Sequence, residues 1–255
     1  MRLISFLWRL FTTGLCFTVF GVGGLLISIF VVPLQVLVYR EPAVRNQKAR
    51  NMVHYLFKFF VGLLKYTGTS RFHIKNREEL TSLSGHIVMA NHPSLIDVVV
   101  LISIIPNADC VVKAELFKNP FIKAILKSTG YISNDSADGV IDDCKKSLKA
   151  GNNLIIFPEG TRTTPGKALK FQRGAANIAL RCQAPITSIL LQVSPTTLTK
   201  AEKWYHVPNK RFEFTLKLTE TMPSIDRIEE TAISKMSRQF TAALEQHFIQ
   251  ELERV

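Results

Sequence analysis

The stretch HIVMANHPSLID, residues 86–97, decides the fold of this chain. Its first half is a short apolar run, typical of a strand buried on both faces, and it ends at Asn91 and His92. Pro93 is well suited to the first turn of a helix, and the apolar run 95–105 continues that helix until Pro106. We therefore predict a strand that passes directly into a helix, which is a building unit of α/β folds.

Similar alternation extends through the rest of the chain. The predicted strands cover 71–75, 86–90, 109–113, 154–157, 186–193 and 212–218, the last as an edge strand. The further predicted helices cover 44–66, 120–128, 140–150 and 174–182, and a last one starts at Asp226 with Glu229 completing a capping box. This order predicts an α/β domain with a mostly parallel or mixed sheet flanked by helices.

An apolar segment precedes this domain, because no charge occurs between Arg9 and Arg40. As a helix it would be about 45 Å long, whereas the hydrocarbon core of a bilayer is about 30 Å thick. We predict a retained, membrane-embedded segment, and its glycines and Pro33 leave open a tilted or kinked span or a shallow helical hairpin. The expected division is a membrane anchor with a basic amphipathic helix over 1–66 and the α/β domain over 67–255.

The net charge is +12, which suits either nucleic acid or an anionic membrane surface. Basic residues crowd just after the apolar segment, namely Arg40, Arg45, Lys48, Arg50, Lys58 and Lys65. Aromatic and aliphatic residues separate them, and a basic amphipathic helix beside a membrane segment favours lipid headgroups over nucleic acid. This excess also predicts that the main domain lies on the cytoplasmic side. The four cysteines are scattered without metal-ligand spacing, so we expect no metal site.

His92 and Asp97 are the first candidate catalytic pair. His92 lies where the strand meets the helix, and the carboxyl ends of strands are where α/β sheets place ligands. Asp97 is the only charge on an otherwise apolar helix and needs a partner, so we predict that it orients His92 as a base. The alternative is a turn histidine and an aspartate that favours the helix dipole. His73 and Glu78 have the same spacing, but they lie in a polar stretch.

A second candidate group is FPEGTR, residues 157–162, which follows another apolar run. The proline ends that strand, so Glu159 and Arg162 leave the same edge of the sheet as His92. Glycine and basic residues follow, which indicates an anion site, although an ion pair in a solvated loop is the alternative. No Gly-x-Ser-x-Gly or Gly-x-Gly-x-x-Gly motif is present, so neither a serine hydrolase nor a dinucleotide fold is supported.

The two motifs, Asn-His-x-Ser-x-x-Asp and Phe-Pro-Glu-Gly-Thr-Arg, resemble the signatures of the glycerolipid acyltransferase family, typified by 1-acyl-sn-glycerol-3-phosphate acyltransferase. The resemblance covers about residues 70 to 200. It implies that a membrane enzyme without a cofactor transfers a fatty acyl group from acyl-CoA or acyl-carrier protein to a lipid hydroxyl. It also implies that His92 is the general base and Asp97 orients it. The implied acceptor-binding residues are Lys113, Glu159, Gly160, Thr161 and Arg162, with Arg162 on the acceptor phosphate.

Two positions depart from the family pattern. The family usually carries an arginine shortly after the glycine that corresponds to Gly130, and residues 131–135 contain none; Ser188 stands where a proline is common. The expected acceptor is 1-acyl-sn-glycerol-3-phosphate, which would give phosphatidic acid. An acceptor without a phosphomonoester, a lipid-binding protein without turnover and a membrane-tethered nucleic-acid binder remain as alternatives.

Overall fold

One mixed sheet lies at the centre of the molecule in the computed structural model, which describes residues 2–135, 137–222 and 232–254. In these ranges the sheet has seven strands, namely β1 (Ser70–Ile74), β2 (Ile87–Ala90), β3 (Ala108–Val112), β4 (Ile132–Ser133), β5 (Asn153–Ile156), β6 (Ile186–Ser194) and β7 (Phe212–Met222). Their order is β1-β7-β6-β2-β5-β3-β4. The predicted α/β class with a mixed sheet is therefore confirmed.

The direction of β7 makes the sheet mixed. It is antiparallel to β6 and parallel to β1, whereas β6, β2, β5, β3 and β4 are all parallel to one another. The prediction of β7 as an edge strand was wrong, because β1 covers its outer side. Its alternating sequence reflects one buried face, with Phe212, Phe214 and Leu216 in the core, and such alternation does not report whether a strand is at an edge.

Helices cover both faces of the sheet. In the described ranges they are α1 (Arg2–Leu26), α2 (Val32–Val38), α3 (Pro42–Tyr66), α4 (Arg77–Ser82), α5 (Asp97–Ile102), α6 (Pro120–Thr129), α7 (Ala137–Lys149), α8 (Arg173–Cys182) and α9 (Ile233–Glu253), with a π-helical turn at Ile27–Val31 and a 3-10 turn at Ala114–Lys118. The predicted helix start at Asp226 and its capping residue Glu229 lie outside the described residues.

Helix α5 is shorter than the sequence indicated. It begins at Asp97 rather than at Pro93 and ends at Ile102. Before it, the backbone N–H of Ser94 donates to the Asp97 carboxylate, so residues 93–96 form a turn in front of the helix. The predicted helix start was therefore four residues early, because the polar side chain of Asp97 competes for the backbone groups of that turn.

The N-terminal apolar segment forms one continuous helix, Leu3–Val38, that is long and apolar enough to cross a membrane. The π-helical turn ends two residues before Pro33, which has no backbone N–H to donate within a regular helix. The chain reverses only after this helix, at 39–41, so a hairpin within the apolar stretch is not formed. Its two ends contact α3 and the residue that follows it. Trp8 Nε1 donates to the Thr67 carbonyl at 3.1 Å, and Gln35 Nε2 donates to Met52 Sδ at 3.7 Å.

Helix α3 carries its basic residues on two different sides. Lys48, Lys58 and Lys65 are exposed, as expected for a surface that meets lipid headgroups. Arg50 is an exception to the predicted basic face, because it is buried and points into the domain. Its guanidinium donates to Asn107 Oδ1 at 2.8 Å, to the Thr129 carbonyl at 2.9 Å and to Asn152 Oδ1 at 3.3 Å. The sequence pattern could not separate this structural arginine from its exposed neighbours.

The core consists of two layers, one on each face of the sheet. Alternate residues of the central strands point to opposite faces, so Val88 and Ile155 pack with α3 and α5, whereas Ile87 and Leu154 pack with α7, α8 and α9. Val53, Phe60 and Leu64 of α3 belong to the first layer. The proposed division into 1–66 and 67–255 remains a prediction.

Candidate active site

The two sequence motifs meet at one edge of the sheet. Strands β2 and β5 are parallel neighbours, with Met89 opposite Ile156. The residues that follow each strand therefore emerge side by side at the carboxyl edge, where α/β sheets bind their ligands. His92 follows β2, and the segment 157–162 follows β5.

His92 and Asp97 form a hydrogen-bonded pair. His92 Nδ1 lies 2.7 Å from Asp97 Oδ2, and the same oxygen accepts the backbone N–H of Ser94 at 2.7 Å. The Asp97 side chain is fully buried, whereas that of His92 is 18% exposed. Burial raises the pKa of Asp97 to about 6, and the hydrogen bond with His92 opposes this rise. An ionised Asp97 fixes the tautomer with the proton on Nδ1 and leaves Nε2 as the basic atom.

The imidazole of His92 is also held by stacking. Its ring lies 4.1 Å from the ring of Phe157, centroid to centroid, and the two planes differ by 21°. Among the described residues, the hydrogen bond of the imidazole runs through Nδ1 alone. A ring fixed on one face and at one nitrogen presents its other nitrogen in a defined direction, which is what a general base requires.

Glu159 joins the two motifs through hydrogen bonds within the protein. Its Oε1 accepts the backbone N–H of His92 at 2.7 Å and the hydroxyl of Thr163 at 2.8 Å. The backbone N–H of Thr163 donates to the His92 carbonyl at 2.7 Å. Burial raises the pKa of Glu159, and its hydrogen bonds oppose this. Glu159 is 8% exposed, so this geometry gives it a positioning role; its predicted contact with an acceptor remains a prediction.

Gly160 forms the turn between Glu159 and Arg162. Its φ is 66°, in the left-handed region that favours glycine, and its N–H donates to the Phe157 carbonyl at 2.9 Å. Thr161 is half-buried next to it. The turn directs Glu159 inwards and Arg162 towards the connection between β6 and β7.

Arg162 holds that connection, which comprises residues 195–211 and is called the β6–β7 loop below. Its Nη1 donates to the carbonyls of Leu198 and Thr199, both at 2.9 Å. Among the described residues, its hydrogen bonds use this one nitrogen. The remaining donors of its guanidinium are therefore compatible with an anionic ligand, and the predicted contact with an acceptor phosphate remains a prediction.

Lys113 lies further along the same edge. It directly follows β3, which pairs with β5, and its side chain is exposed. The position without the expected arginine is close by, where Asn134 Oδ1 accepts the backbone N–H of Ala114 at 2.9 Å. The side-chain amide of Asn134 thus supports the backbone next to Lys113. The family pattern would place an arginine near this position instead.

Two supporting residues were not predicted from the sequence. Ser94 Oγ donates to the Thr197 carbonyl at 3.0 Å, and Thr163 completes the link to Glu159. Ser94 lies within the first motif, which was a signal of its importance, but nothing in the sequence indicated its partner in a distant loop. Thr163 follows the second motif and had no distinguishing signal.

No metal centre is assigned in the described ranges, because no three carboxylate, imidazole or thiol side chains lie together there.

The comparisons with known proteins agree with this geometry. An acyltransferase family model matches residues 71–192, which include both motifs. A 1-acyl-sn-glycerol-3-phosphate acyltransferase of Bacillus subtilis is 33% identical over 144 residues, covering 54% of this chain and 71% of the relative. The human 1-acyl-sn-glycerol-3-phosphate acyltransferase beta is 24% identical over 222 residues, covering 83% and 72%.

The fold is shared with a solved structure. The crystal structure of the 1-acyl-sn-glycerophosphate acyltransferase PlsC from Thermotoga maritima matches with a TM-score of 0.65 and 21% identity, over 96% of this chain and 98% of that one. Both motifs lie at one edge of the sheet, and both fall within the region that matches the family model. The chain therefore belongs to the acyltransferase family and is an acyltransferase associated with membranes.

Proposed function

We propose that this acyltransferase transfers a fatty acyl group from acyl-CoA or acyl-carrier protein to the hydroxyl of a lysophospholipid. The first candidate acceptor is 1-acyl-sn-glycerol-3-phosphate, and the product would be phosphatidic acid. The observation that carries the proposal is the hydrogen bond of 2.7 Å between His92 Nδ1 and the buried Asp97 carboxylate, which prepares Nε2 as a base at an open edge of the sheet.

The chemical step follows from this pair. Nε2 of His92 removes the proton of the acceptor hydroxyl as its oxygen attacks the thioester carbonyl carbon. The new C–O bond forms, the C–S bond breaks, and the sulfur leaves with the bonding electrons. The imidazolium then returns its proton to the thiolate, so that a free thiol is released. Asp97 stabilises the imidazolium between these two proton transfers.

The acceptor class is supported by Arg162 and by the names of the relatives. Several relatives bear the name 1-acyl-sn-glycerol-3-phosphate acyltransferase. The guanidinium of Arg162 uses Nη1 to hold the β6–β7 loop, so its other N–H groups could donate to a phosphate. The second candidate is an acceptor without a phosphomonoester, which is favoured by the absence of an arginine from 131–135. Lys113 would approach the acceptor in either case.

We further propose that the catalytic domain lies on the cytoplasmic side of the membrane and that no nucleic acid is bound. The excess of lysine and arginine after the apolar helix supports this orientation. Exposed lysines on α3 and an adjoining apolar helix suit an anionic lipid surface.

The test is release of free thiol by the full-length protein in phospholipid vesicles. Acyl-CoA and acyl-carrier protein would be compared as donors, and lysophosphatidic acid, lysophosphatidylglycerol and monoacylglycerol as acceptors. His92→Ala should lower turnover by about two to four orders of magnitude, which is the usual contribution of a positioned base.

His73→Ala is the matched control. His73 also has a carboxylate five residues on, but its imidazole is exposed and lies 3.7 Å from Glu213 instead. This variant should turn over normally. Full activity of a folded His92→Ala variant would reject the mechanism, and turnover with none of the acceptors would reject the proposed substrate class.

A further inference from the structure

The β6–β7 loop has an exposed aromatic tip. Trp204 is 46% exposed and Tyr205 is 43% exposed, so two adjacent large rings are accessible at the surface. The ammonium of Lys203 lies 5.6 Å from the centre of the Tyr205 ring. Three lysines of the loop are exposed, namely Lys200, Lys203 and Lys210. Tryptophan and tyrosine interleaved with lysine are the residues enriched where a protein meets lipid headgroups.

This tip lies against the apolar N-terminal helix. The Trp204 ring is 6.3 Å from the Phe17 ring, and a side chain at Gly14 would come within 3.4 Å of it. Nearer the start of the helix, the buried Arg9 donates from Nη2 to the Asn209 carbonyl at 2.8 Å. The loop is therefore fixed to the element that associates with the membrane, at a point about halfway along α1.

The surface of α1 is apolar as well as exposed. Its large exposed side chains include Leu3, Ile4, Leu7, Trp8, Phe11, Leu15 and Val22. The half-buried Phe17 lies between Phe60 and Trp204 and joins the aromatic tip to α1, so the tip lies beside this surface. Only 11% of the most apolar part of this helix is buried in the protein, so a lipid bilayer suits it as a cover, and the lysines of the tip add attraction to negatively charged headgroups.

The other end of the loop touches the active site. The Leu198 carbonyl accepts the backbone N–H of Leu95 at 3.0 Å as well as the guanidinium of Arg162. The Thr197 carbonyl accepts the hydroxyl of Ser94. One short segment thus connects the membrane helix with the turn that carries His92 and with Arg162.

We propose that residues 200–210 of the β6–β7 loop are a second membrane-contact element, whose Trp204 and Tyr205 side chains enter the headgroup region of an anionic phospholipid bilayer beside α1. The occupant of this surface is the lipid bilayer itself. The proposal is independent of the identity of the acceptor and of the donor. It places the border of the active site at the level of the headgroups, where a lysophospholipid presents its hydroxyl.

Tryptophan fluorescence tests the proposal directly, because the chain has two tryptophans. The variant Trp8→Phe leaves Trp204 as the single reporter. In vesicles with brominated phospholipid, its emission should be strongly quenched by bromines near the upper acyl chain, shifted to the blue and protected from aqueous acrylamide. Full acrylamide quenching with no effect of brominated lipid would place the tip in water and overturn the proposal.

A matched control gives the signal of an exposed tryptophan away from α1. The variant Trp8→Phe, Trp204→Phe, Lys149→Trp carries its single tryptophan at the exposed end of α7. This reporter should be quenched by acrylamide and not by brominated lipid. If both reporters respond to brominated lipid equally, the response is not specific to the tip and the proposal is rejected.

The charge of the tip supplies an independent test. Lys203→Glu in the single-tryptophan background should increase acrylamide quenching in anionic vesicles and change it little in zwitterionic ones, because attraction to anionic lipid is removed. Glu202→Gln, at a neighbouring position that caps the Thr199 N–H, serves as the control for local disturbance of the loop. An equal effect of Lys203→Glu in both vesicle types would argue against contact with an anionic bilayer.

Discussion

The backbone N–H of His92 donates to the carboxylate of Glu159 at 2.7 Å, so a hydrogen bond joins the two motifs of the active site. The return bond from the Thr163 N–H to the His92 carbonyl closes this link. The position of the imidazole therefore depends on a carboxylate from the segment that follows the neighbouring strand. Glu159 in the second motif therefore has a structural role, which is separate from any contact with an acceptor.

Glu159→Gln and Glu159→Ala should behave differently. Glutamine keeps an oxygen that can accept both the His92 N–H and the Thr163 hydroxyl, so we expect kcat within a few-fold of the native value. Alanine leaves the buried His92 N–H without an acceptor, which costs about 1–3 kcal/mol of stability, and kcat should fall by more than tenfold. Steady-state kinetics and thermal unfolding check this. A glutamine variant as inactive as the alanine variant would show that the negative charge itself is required.

Asp97→Asn should lower kcat by about 10-fold to 150-fold, less than the loss in His92→Ala. Asp97 Oδ2 accepts both hydrogen bonds, whereas Oδ1 has no partner among the described residues. An asparagine can place its oxygen at the Oδ2 position and keep the tautomer of His92. What it loses is the charge opposite the imidazolium, worth about 1.5–3 kcal/mol. A kcat unchanged in a folded variant would exclude charge stabilisation of His92.

Much of the fold and of the catalytic pair could be predicted from the sequence, because both depend on local patterns. The strand that ends at His92 and the pairing with Asp97 follow from an apolar run and from one charge in an apolar helix. The interior position of β7 and the inward direction of Glu159 depend on tertiary neighbours. Arg50 shows the same limit, since its partners Asn107, Thr129 and Asn152 lie far along the chain.

Arg162→Lys should reduce the specificity constant for a phosphorylated acceptor by about tenfold to a hundredfold, if the acceptor is a lysophosphatidic acid. A lysine ammonium can bond to the Leu198 and Thr199 carbonyls, but it cannot also offer a planar fork to phosphate. The KM for the acyl donor should change little. Arg181→Lys, on an exposed part of α8, is the control. An equal loss towards phosphorylated and unphosphorylated acceptors would reject the phosphate contact.

Asp109→Asn should change how stability depends on pH. Burial raises the pKa of Asp109 from 3.8 to about 6, although hydrogen bonds from Ser147 and Cys110 oppose this. The folded state therefore binds a proton more readily than the unfolded state between pH 4 and 6. Protonation of Asp109 in the folded state therefore raises the free energy of unfolding, by at most about 3 kcal/mol. This stabilisation is fully present below pH 4 and is lost as the pH rises through 6.

The measurement is the melting temperature of native and variant protein from pH 4 to pH 7. Asparagine cannot titrate, so the melting temperature of the variant relative to native protein should rise with pH over this range. Asp142→Asn is the control, because its side chain is exposed on the same helix. A constant difference between Asp109→Asn and native protein would show that Asp109 keeps an ordinary pKa.

The reversal of β7 has a consequence for how such enzymes could diversify. Because β7 is antiparallel to β6, the β6–β7 loop leaves and re-enters the sheet at the same edge, as a hairpin connection. Among the described residues, the hydrogen bonds of this loop to the turn that carries His92 and to Arg162 come from its first part, Thr197–Thr199. The stretch 200–210 could therefore be lengthened, shortened or exchanged between relatives as a cassette, with the strand order and the base left in place. Selection for a different lipid environment would have a short, separable segment on which to act.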